Sequence, residues 1–347
     1  MLSKNFSPQR GYATIPIQIT DFTPMTISKK KISAIIACYG DELAIPVMHE
    51  RLTKTFQEIG CQYEIIFVND GSPDNSEEVL RALAARDKNV VAIFHSRNFS
   101  SQNAFMSGMT VSTGDAVVLL DGDLQDPPEL ISKFVQKWQE GFDVVYGIRV
   151  KREAGLFLRT AYKLFYRILA KLSYITVPRD AGDFSLISRK VVDILVSMPE
   201  NDMFIRGLRA WVGFKQTGIP YRRPERMFGK TTNNLLKNIR WAKKGIFSFS
   251  YEPLELVFYL AIATSFISLL AILFYVFLYF FTPDAPRGTS TIIVLILFFS
   301  SVQLISSSII GEYLGRIFEE VKKRPKFIVK EVLNNPKDRS GDTKHSM

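Results

Sequence analysis

From residue 32 to 148, short runs of β-branched and apolar residues alternate with stretches of helical periodicity. Strand-like runs fall at 32–37, 63–68, 90–95, 116–120 and 143–148, and helix-like stretches fill 43–59, 75–86, 101–112 and 128–139. Strand–helix alternation at this spacing predicts an α/β fold, a mostly parallel sheet with helices on both faces. Near the C-terminus the pattern changes. Residues 256–281 and 288–311 contain no charged side chain, and the first run would be roughly 39 Å long as a helix against a hydrocarbon core of about 30 Å. A connector at 282–290 holds two prolines, a glycine, Asp284 and Arg287. These runs predict two transmembrane helices joined by a hairpin; the alternative is a pair of buried core helices.

The resulting division is an N-terminal extension over 1–28 with no apolar h-region, read as poorly ordered, then a globular domain over 29–225. A basic juxtamembrane segment follows at 226–252, then the hairpin at 253–311 and a basic tail at 312–347. Lys243 and Lys244 precede the first apolar run, whereas Arg316, Lys322, Lys323, Arg324, Lys326 and Lys330 follow the second. With a connector of zero net charge, this bias puts both flanks, and the globular domain, in the cytoplasm, on an inner membrane crossed twice.

The 347 residues carry a net charge of +10 with 47% hydrophobic residues, so the chain can build a core and is not disordered as a whole. The excess charge is local: residues 149–171 net +6, 222–244 net +7 and 316–330 net +4, leaving −7 for the remainder. Because these segments flank apolar runs or are amphipathic, an anionic membrane surface is the expected partner, not nucleic acid. Within 156–175, Arg159, Lys163, Arg167 and Lys171 form one stripe, with Leu158, Phe165, Leu169 and Leu172 off it. That is the pattern of an interfacial helix lying on a membrane, or of an ordinary amphipathic surface helix. Two cysteines, Cys38 and Cys61, and three scattered histidines give neither a disulfide scaffold nor a zinc site.

In parallel sheets ligands bind beyond the carboxyl ends of the strands. Those ends carry Tyr39, Asp41 and Glu42 after the first strand, and Asn69, Asp70, Gly71 and Ser72 after the second. Arg97 and Asn98 follow the third, and Asp121, Asp123, Gln125 and Asp126 the fourth. An isolated Asp-x-Asp or Asn-Asp-Gly-Ser is common turn composition. A crowd of carboxylates on one rim is costly without a cation, and such oxygen ligands suit Mg²⁺ or Mn²⁺. There is no P-loop and no dinucleotide fingerprint.

The run IFVNDGS at 66–72 and the run VLLDGDLQDPPE at 118–129 resemble glycosyltransferase family 2, with its GT-A fold. The second run, SRNF at 96–99, GIR at 147–149, AGDFSLISR at 181–189, FIRGLRAWVGFKQ at 204–216 and RMFGKT at 226–231 are similar to the polyprenyl-phosphate branch of that family. Its members are undecaprenyl-phosphate glycosyltransferases related to dolichol-phosphate mannose synthase. The resemblance covers about residues 30–330. It departs at 37–41, which read ACYGD where the family has a Pro-x-Tyr-Asn-Glu pattern, and at Ser185 and Ser100.

The resemblance implies a metal set of Asp121, Asp123 and Gln125, with Mg²⁺ or Mn²⁺. It implies donor-nucleotide contacts from Tyr39, Asp41, Asp70, Arg97 and Asp121, and phosphate contacts from Arg149, Arg159, Arg226 and Lys230. Asp183 falls where this branch places its candidate catalytic carboxylate, at a loop-to-strand junction before the strand-like run 184–187, where backbone can approach a ligand closely; the alternative is merely a turn residue or cap. The implied reaction moves a hexose from a nucleotide diphosphate sugar, UDP-glucose foremost, to a polyprenyl phosphate, with inversion, in a homo-oligomeric protein. Two competing readings are a processive polysaccharide synthase, for which Lys237–Trp241 lacks the glutamine of Gln-x-x-Arg-Trp, and a non-catalytic membrane scaffold.

Overall fold

The structure, a computed structural model, describes residues 27–150, 181–201, 203–224, 227–228, 247, 250–281 and 288–339. The expected interfacial helix at 156–175, and with it Arg159, lies outside the described residues, as do Arg226 and Lys230.

The strands are β1 (Lys31–Cys38), β2 (Gln62–Asn69), β3 (Val90–His95), β4 (Ala116–Asp121), β5 (Val144–Arg149), β6 (Ala181–Ser188), β7 (Gln216–Tyr221) and β8 (Val329–Leu333). They form one sheet in the order β7-β5-β6-β4-β1-β2-β3-β8. The β1–β2, β1–β4, β2–β3 and β5–β7 pairs are parallel, whereas β4–β6, β5–β6 and β3–β8 are antiparallel. Pro220, which lacks a backbone donor, sits on the outer strand β7, where the ladder tolerates it. The helices of the domain are α1 (Ala44–Ile59), α2 (Ser76–Arg86), α3 (Ser101–Val111), α4 (Ile131–Gln139), α5 (Arg189–Ser197) and α6 (Ile205–Val212).

Alternate positions of the strands feed two cores. On one face Ile32, Ala34 and Ile36 of β1 meet Met48, Leu52 and Phe56 of α1, Leu80 of α2 and Phe134 of α4. On the other, Ile35, Ile66 and Val68 meet Phe105 and Met109 of α3, Val191 and Leu195 of α5 and Ile205 and Leu208 of α6. Burial on both faces explains why these strands read as near-continuous apolar runs. The one polar break in β1, Ser33, is buried but donates its hydroxyl to Glu64 at 2.6 Å, and Lys31 also binds Glu64.

Two long helices follow, α7 (Glu252–Phe281) and α8 (Thr289–Lys322). They contain segments of mean hydropathy 2.5 and 2.0 that are long and apolar enough to cross a membrane. Neither is a core helix, because none of either apolar stretch is buried. Phe258, Phe266, Leu297 and Leu304 stand open, an apolar surface that water does not favour. The expected tail at 312–347 divides differently. α8 continues to Lys322, and the chain then returns to the sheet as β8 against the outer side of β3.

Candidate active site

The carboxyl ends of β1, β2 and β4 place three loops side by side. After β1, Asp41 turns the chain into α1: its carbonyl accepts the N–H groups of Ala44 at 2.9 Å and Ile45 at 3.1 Å, and its carboxylate accepts the Tyr39 N–H at 3.0 Å. The Tyr39 side chain is left exposed. After β2, Asn69 accepts the Ser72 N–H at 2.9 Å, and Ser72 Oγ accepts the Gly40 N–H at 3.2 Å, tying the first two loops together.

Asp70 is buried. One of its oxygens accepts both His95 Nδ1–H and the Phe99 N–H, each at 2.8 Å. Next to it Gly71 has φ +67°, and a Cβ there would lie 2.6 Å from the Arg97 backbone carbonyl carbon. Only glycine lets the Asp70 loop lie this close to the Arg97 loop. The Arg97 guanidinium stacks over Phe99, 4.1 Å from the ring centroid, at the exposed edge.

After β4 come Asp121, Asp123, Gln125 and Asp126. Arg223, two residues beyond β7, sets one guanidinium nitrogen 3.6 Å from both Asp121 and Asp123. Gln125 donates its amide to the Pro224 carbonyl at 3.1 Å, so the segment after β7 crosses this loop. Beneath, the fully buried Asp126 accepts the Tyr221 hydroxyl proton at 2.6 Å and lies 3.9 Å from Arg149. Burial, then the charges of Asp126, Asp183 and Asp123, pushes Asp121 up to about 7. Burial likewise raises Asp126, although Arg149 and the Tyr221 hydrogen bond oppose it. The same burial and Asp126 push the Tyr221 hydroxyl up, so it remains a donor.

Asp183 lies inside β6, with Ala181 already paired to Ile148, and not at the loop-to-strand junction its sequence suggests. It is 7% exposed, and Arg206 of α6 grips it with two hydrogen bonds at 3.0 and 3.2 Å. Burial alone would raise its carboxyl. The charge and hydrogen bonds of Arg206, helped by Arg209 and Arg149, outweigh that and hold it below the usual carboxylate range. Arg209, fully buried, donates to the Gly182 carbonyl at 3.3 Å, and burial brings its guanidinium down to about 10. Gly182 admits the third guanidinium: a Cβ there would lie 3.0 Å from Arg149. Three arginines from β5 and α6 thus converge on Ala181–Asp183.

Asp121, Asp123, Gln125, Arg149 and Asp183 therefore gather at one end of the sheet, with Tyr39, Asp41, Asp70 and Arg97 on its neighbouring loops. The sequence reading assigned no role to Tyr221, Arg206, Arg209, Arg223 or His95. The two arginines of α6 were within reach, because they stand in the FIRGLRAWVGFKQ run. Among the described residues no three His, Cys, Asp or Glu side chains converge as a ready metal cage. Asp121 and Asp123 nevertheless fit a divalent cation: one guanidinium nitrogen of Arg223 faces both, and Asp121, crowded by Asp126, Asp183 and Asp123, is held reluctant to ionise. Mg²⁺ in particular takes one or two carboxylates and completes its shell with water and phosphate.

A mixed, mostly parallel α/β sheet with an acidic loop after β4 and an arginine cluster behind it fits the GT-A fold of glycosyltransferases. The model of glycosyl transferase family 2 matches residues 33–195. An uncharacterized glycosyltransferase of Bacillus subtilis is 42% identical over 298 residues, covering 86% of this chain and 92% of that protein. The chain therefore belongs to glycosyl transferase family 2. A prophage bactoprenol glucosyl transferase homolog of Escherichia coli is 37% identical, over 87% of this chain and 99% of its own length. The bactoprenol glucosyl transferase of Shigella phage SfII is 38% identical, over 86% and 97%. These relatives belong to the polyprenyl-phosphate branch that the sequence motifs resemble.

Proposed function

We propose that this glycosyltransferase moves glucose from UDP-glucose to the phosphate of a membrane polyprenyl phosphate, inverting the anomeric centre. The product would be a lipid-linked sugar donor for cell-envelope glycosylation. The observation that carries this reading is the pairing of an acidic rim with an arginine cluster in a chain that also carries two open apolar helices. The bactoprenol glucosyl transferases among its relatives support a polyprenyl acceptor.

In this reading Tyr39, Asp41, Asp70 and Arg97 hold the nucleoside, and Arg149 takes up phosphate charge, with Arg159, Arg226 and Lys230 as further phosphate ligands. Asp121 and Asp123, with Gln125 beside them, would hold Mg²⁺ or Mn²⁺, which when bound neutralises charge on the leaving diphosphate. The acceptor is a phosphate monoester, largely ionised near neutral pH given a second pKa of about 6, and so already nucleophilic. Asp183 then has no need to act as a strong base. Held ionised by Arg206, it orients that guanidinium and the acceptor. A single displacement at the anomeric carbon inverts it.

The apolar helices span the membrane, with residues 29–225 on the cytoplasmic side. The basic segments flanking them face anionic headgroups. The stripe of Arg159, Lys163, Arg167 and Lys171 holds the lipid phosphate at headgroup level, and the protein works as a homo-oligomer.

The test is to offer a panel of nucleotide sugars with undecaprenyl phosphate to the purified chain. Formation of an acid-labile glycolipid, strongest with UDP-glucose, abolished by EDTA and restored by Mg²⁺ or Mn²⁺, is the expected result. Full turnover in excess EDTA refutes the metal role, and absence of glycolipid with every donor refutes the acceptor.

A further inference from the structure

Beyond α8 the chain does not trail away. Lys326 binds the Met198 carbonyl, and the Ile328 carbonyl accepts the Ser96 N–H at 3.0 Å. β8 then pairs with β3 from Val329 to Leu333. Asn334 closes the seam by donating to the Ala84 and Val90 carbonyls at 2.6 and 2.9 Å.

In the middle of this seam Phe327 lies flat against His95, with ring centroids 5.5 Å apart and planes inclined by 8°. Phe99 meets the same imidazole edge-on at 5.7 Å. The imidazole is completely enclosed, its Nε2 has no hydrogen-bond partner among the described residues, and its Nδ1–H is donated to Asp70. The β3–β8 register shifts between Phe94 and His95, a bulge of the kind that re-aims a side chain.

An enclosed imidazole with one unpaired nitrogen is an expensive way to fill space. What it supplies is direction: two rings fix its plane, and that plane aims Nδ1–H at the oxygen that also accepts the Phe99 N–H. We propose that Phe327 and His95 are positioning residues of the donor site, so that the segment following the apolar helices completes the nucleotide pocket. The contact set joins Asp70, His95 and Phe99 to Phe327, more than 200 residues further along the chain, and is complete only with that segment in place. The inference rests on the reading of Asp70 and Arg97 as nucleoside ligands given above.

The test uses the full chain in detergent. Binding of UDP, GDP and dTDP to the wild type is measured by calorimetry, and the nucleotide that binds becomes the probe. His95→Phe keeps a ring between Phe327 and Phe99 but removes the donor, and Phe327→Ala removes the stack. His95→Phe is expected to weaken nucleotide binding about tenfold, the loss of one hydrogen bond to a charged group, and Phe327→Ala by up to as much, because the donor is kept but no longer aimed. The KM for the sugar nucleotide should rise in step, while that for polyprenyl phosphate stays within about twofold. His95→Asn, whose amide can still donate to Asp70, should restore binding to within about threefold. Phe327→Leu serves if the alanine variant does not fold.

Folded His95→Phe and Phe327→Ala (or Leu) proteins that bind nucleotide like the wild type overturn the inference and leave the donor reading standing. So does a parallel rise of both KM values that follows a lower Tm. A wild type that binds none of the three nucleotides overturns the donor reading and the inference together.

Discussion

The carboxyl of Asp121 titrates near 7 because burial and then Asp126, Asp183 and Asp123 oppose its charge. In the unfolded chain an aspartate titrates near 3.9. Between these values the folded state holds a proton that the unfolded state has lost. Stability therefore falls as pH rises through this window, the reverse of the usual salt-bridged aspartate. With these two pKa values the loss between pH 5 and pH 8 comes to roughly 2–3 kcal/mol. At about 2–4 °C per kcal/mol, the Tm of the catalytic domain should drop by roughly 5–10 °C over that range in EDTA.

Asp121→Asn cannot ionise, so its melting curve should be flatter in pH and should cross above the wild type near pH 8. Mn²⁺ should raise the Tm of the wild type at pH 8, because the cation takes the place of the proton, and should do little for Asp121→Asn. Differential scanning fluorimetry of the two proteins across pH, with and without metal, measures all of this. A wild-type Tm that does not change with pH in EDTA, or changes as that of Asp121→Asn does, would refute the reasoning.

Other outcomes follow from the same geometry. Tyr221→Phe leaves the buried Asp126 without its 2.6 Å donor, which should cost about 1–3 kcal/mol in a denaturation curve and raise the KM for the sugar nucleotide. Asp183→Asn breaks a buried ion pair with Arg206, so it should lower both stability, by about 3 kcal/mol, and kcat, by about 10²-fold. Nucleotide affinity should change little, and a near-normal kcat would remove Asp183 from the reaction. For the membrane topology, Ser290→Cys should react with an impermeant thiol reagent on intact cells, whereas Asp338→Cys should react only after permeabilisation; the opposite pattern reverses the orientation.

Local pattern alone determined the first half of the sheet and its helices, because each of these strands is long, apolar and buried on both faces, and each helix carries its own period. It also determined that Asp70, Asp121 and Asp123 stand at strand ends, since the residues after a strand in such a fold can go nowhere else. The two apolar helices were legible from length and charge, as the hydrocarbon thickness is a fixed measure. For β6, local pattern supports a strand only over residues 184–187, whereas the strand runs Ala181–Ser188. Ala181, Gly182 and Asp183 have little preference for strands, and only pairing with β5 extends the strand through them. That extension carries Asp183 under Arg206 and Arg209, and it lets Arg149 reach Gly182 and Asp126. Tyr221 and Arg223 meet the β4 loop because β7 lies beside β5, and Phe327 meets His95 because the chain returns after α8. These contacts join residues far apart in sequence, and no local periodicity records them. Only tertiary packing could decide which arginine answers which carboxylate.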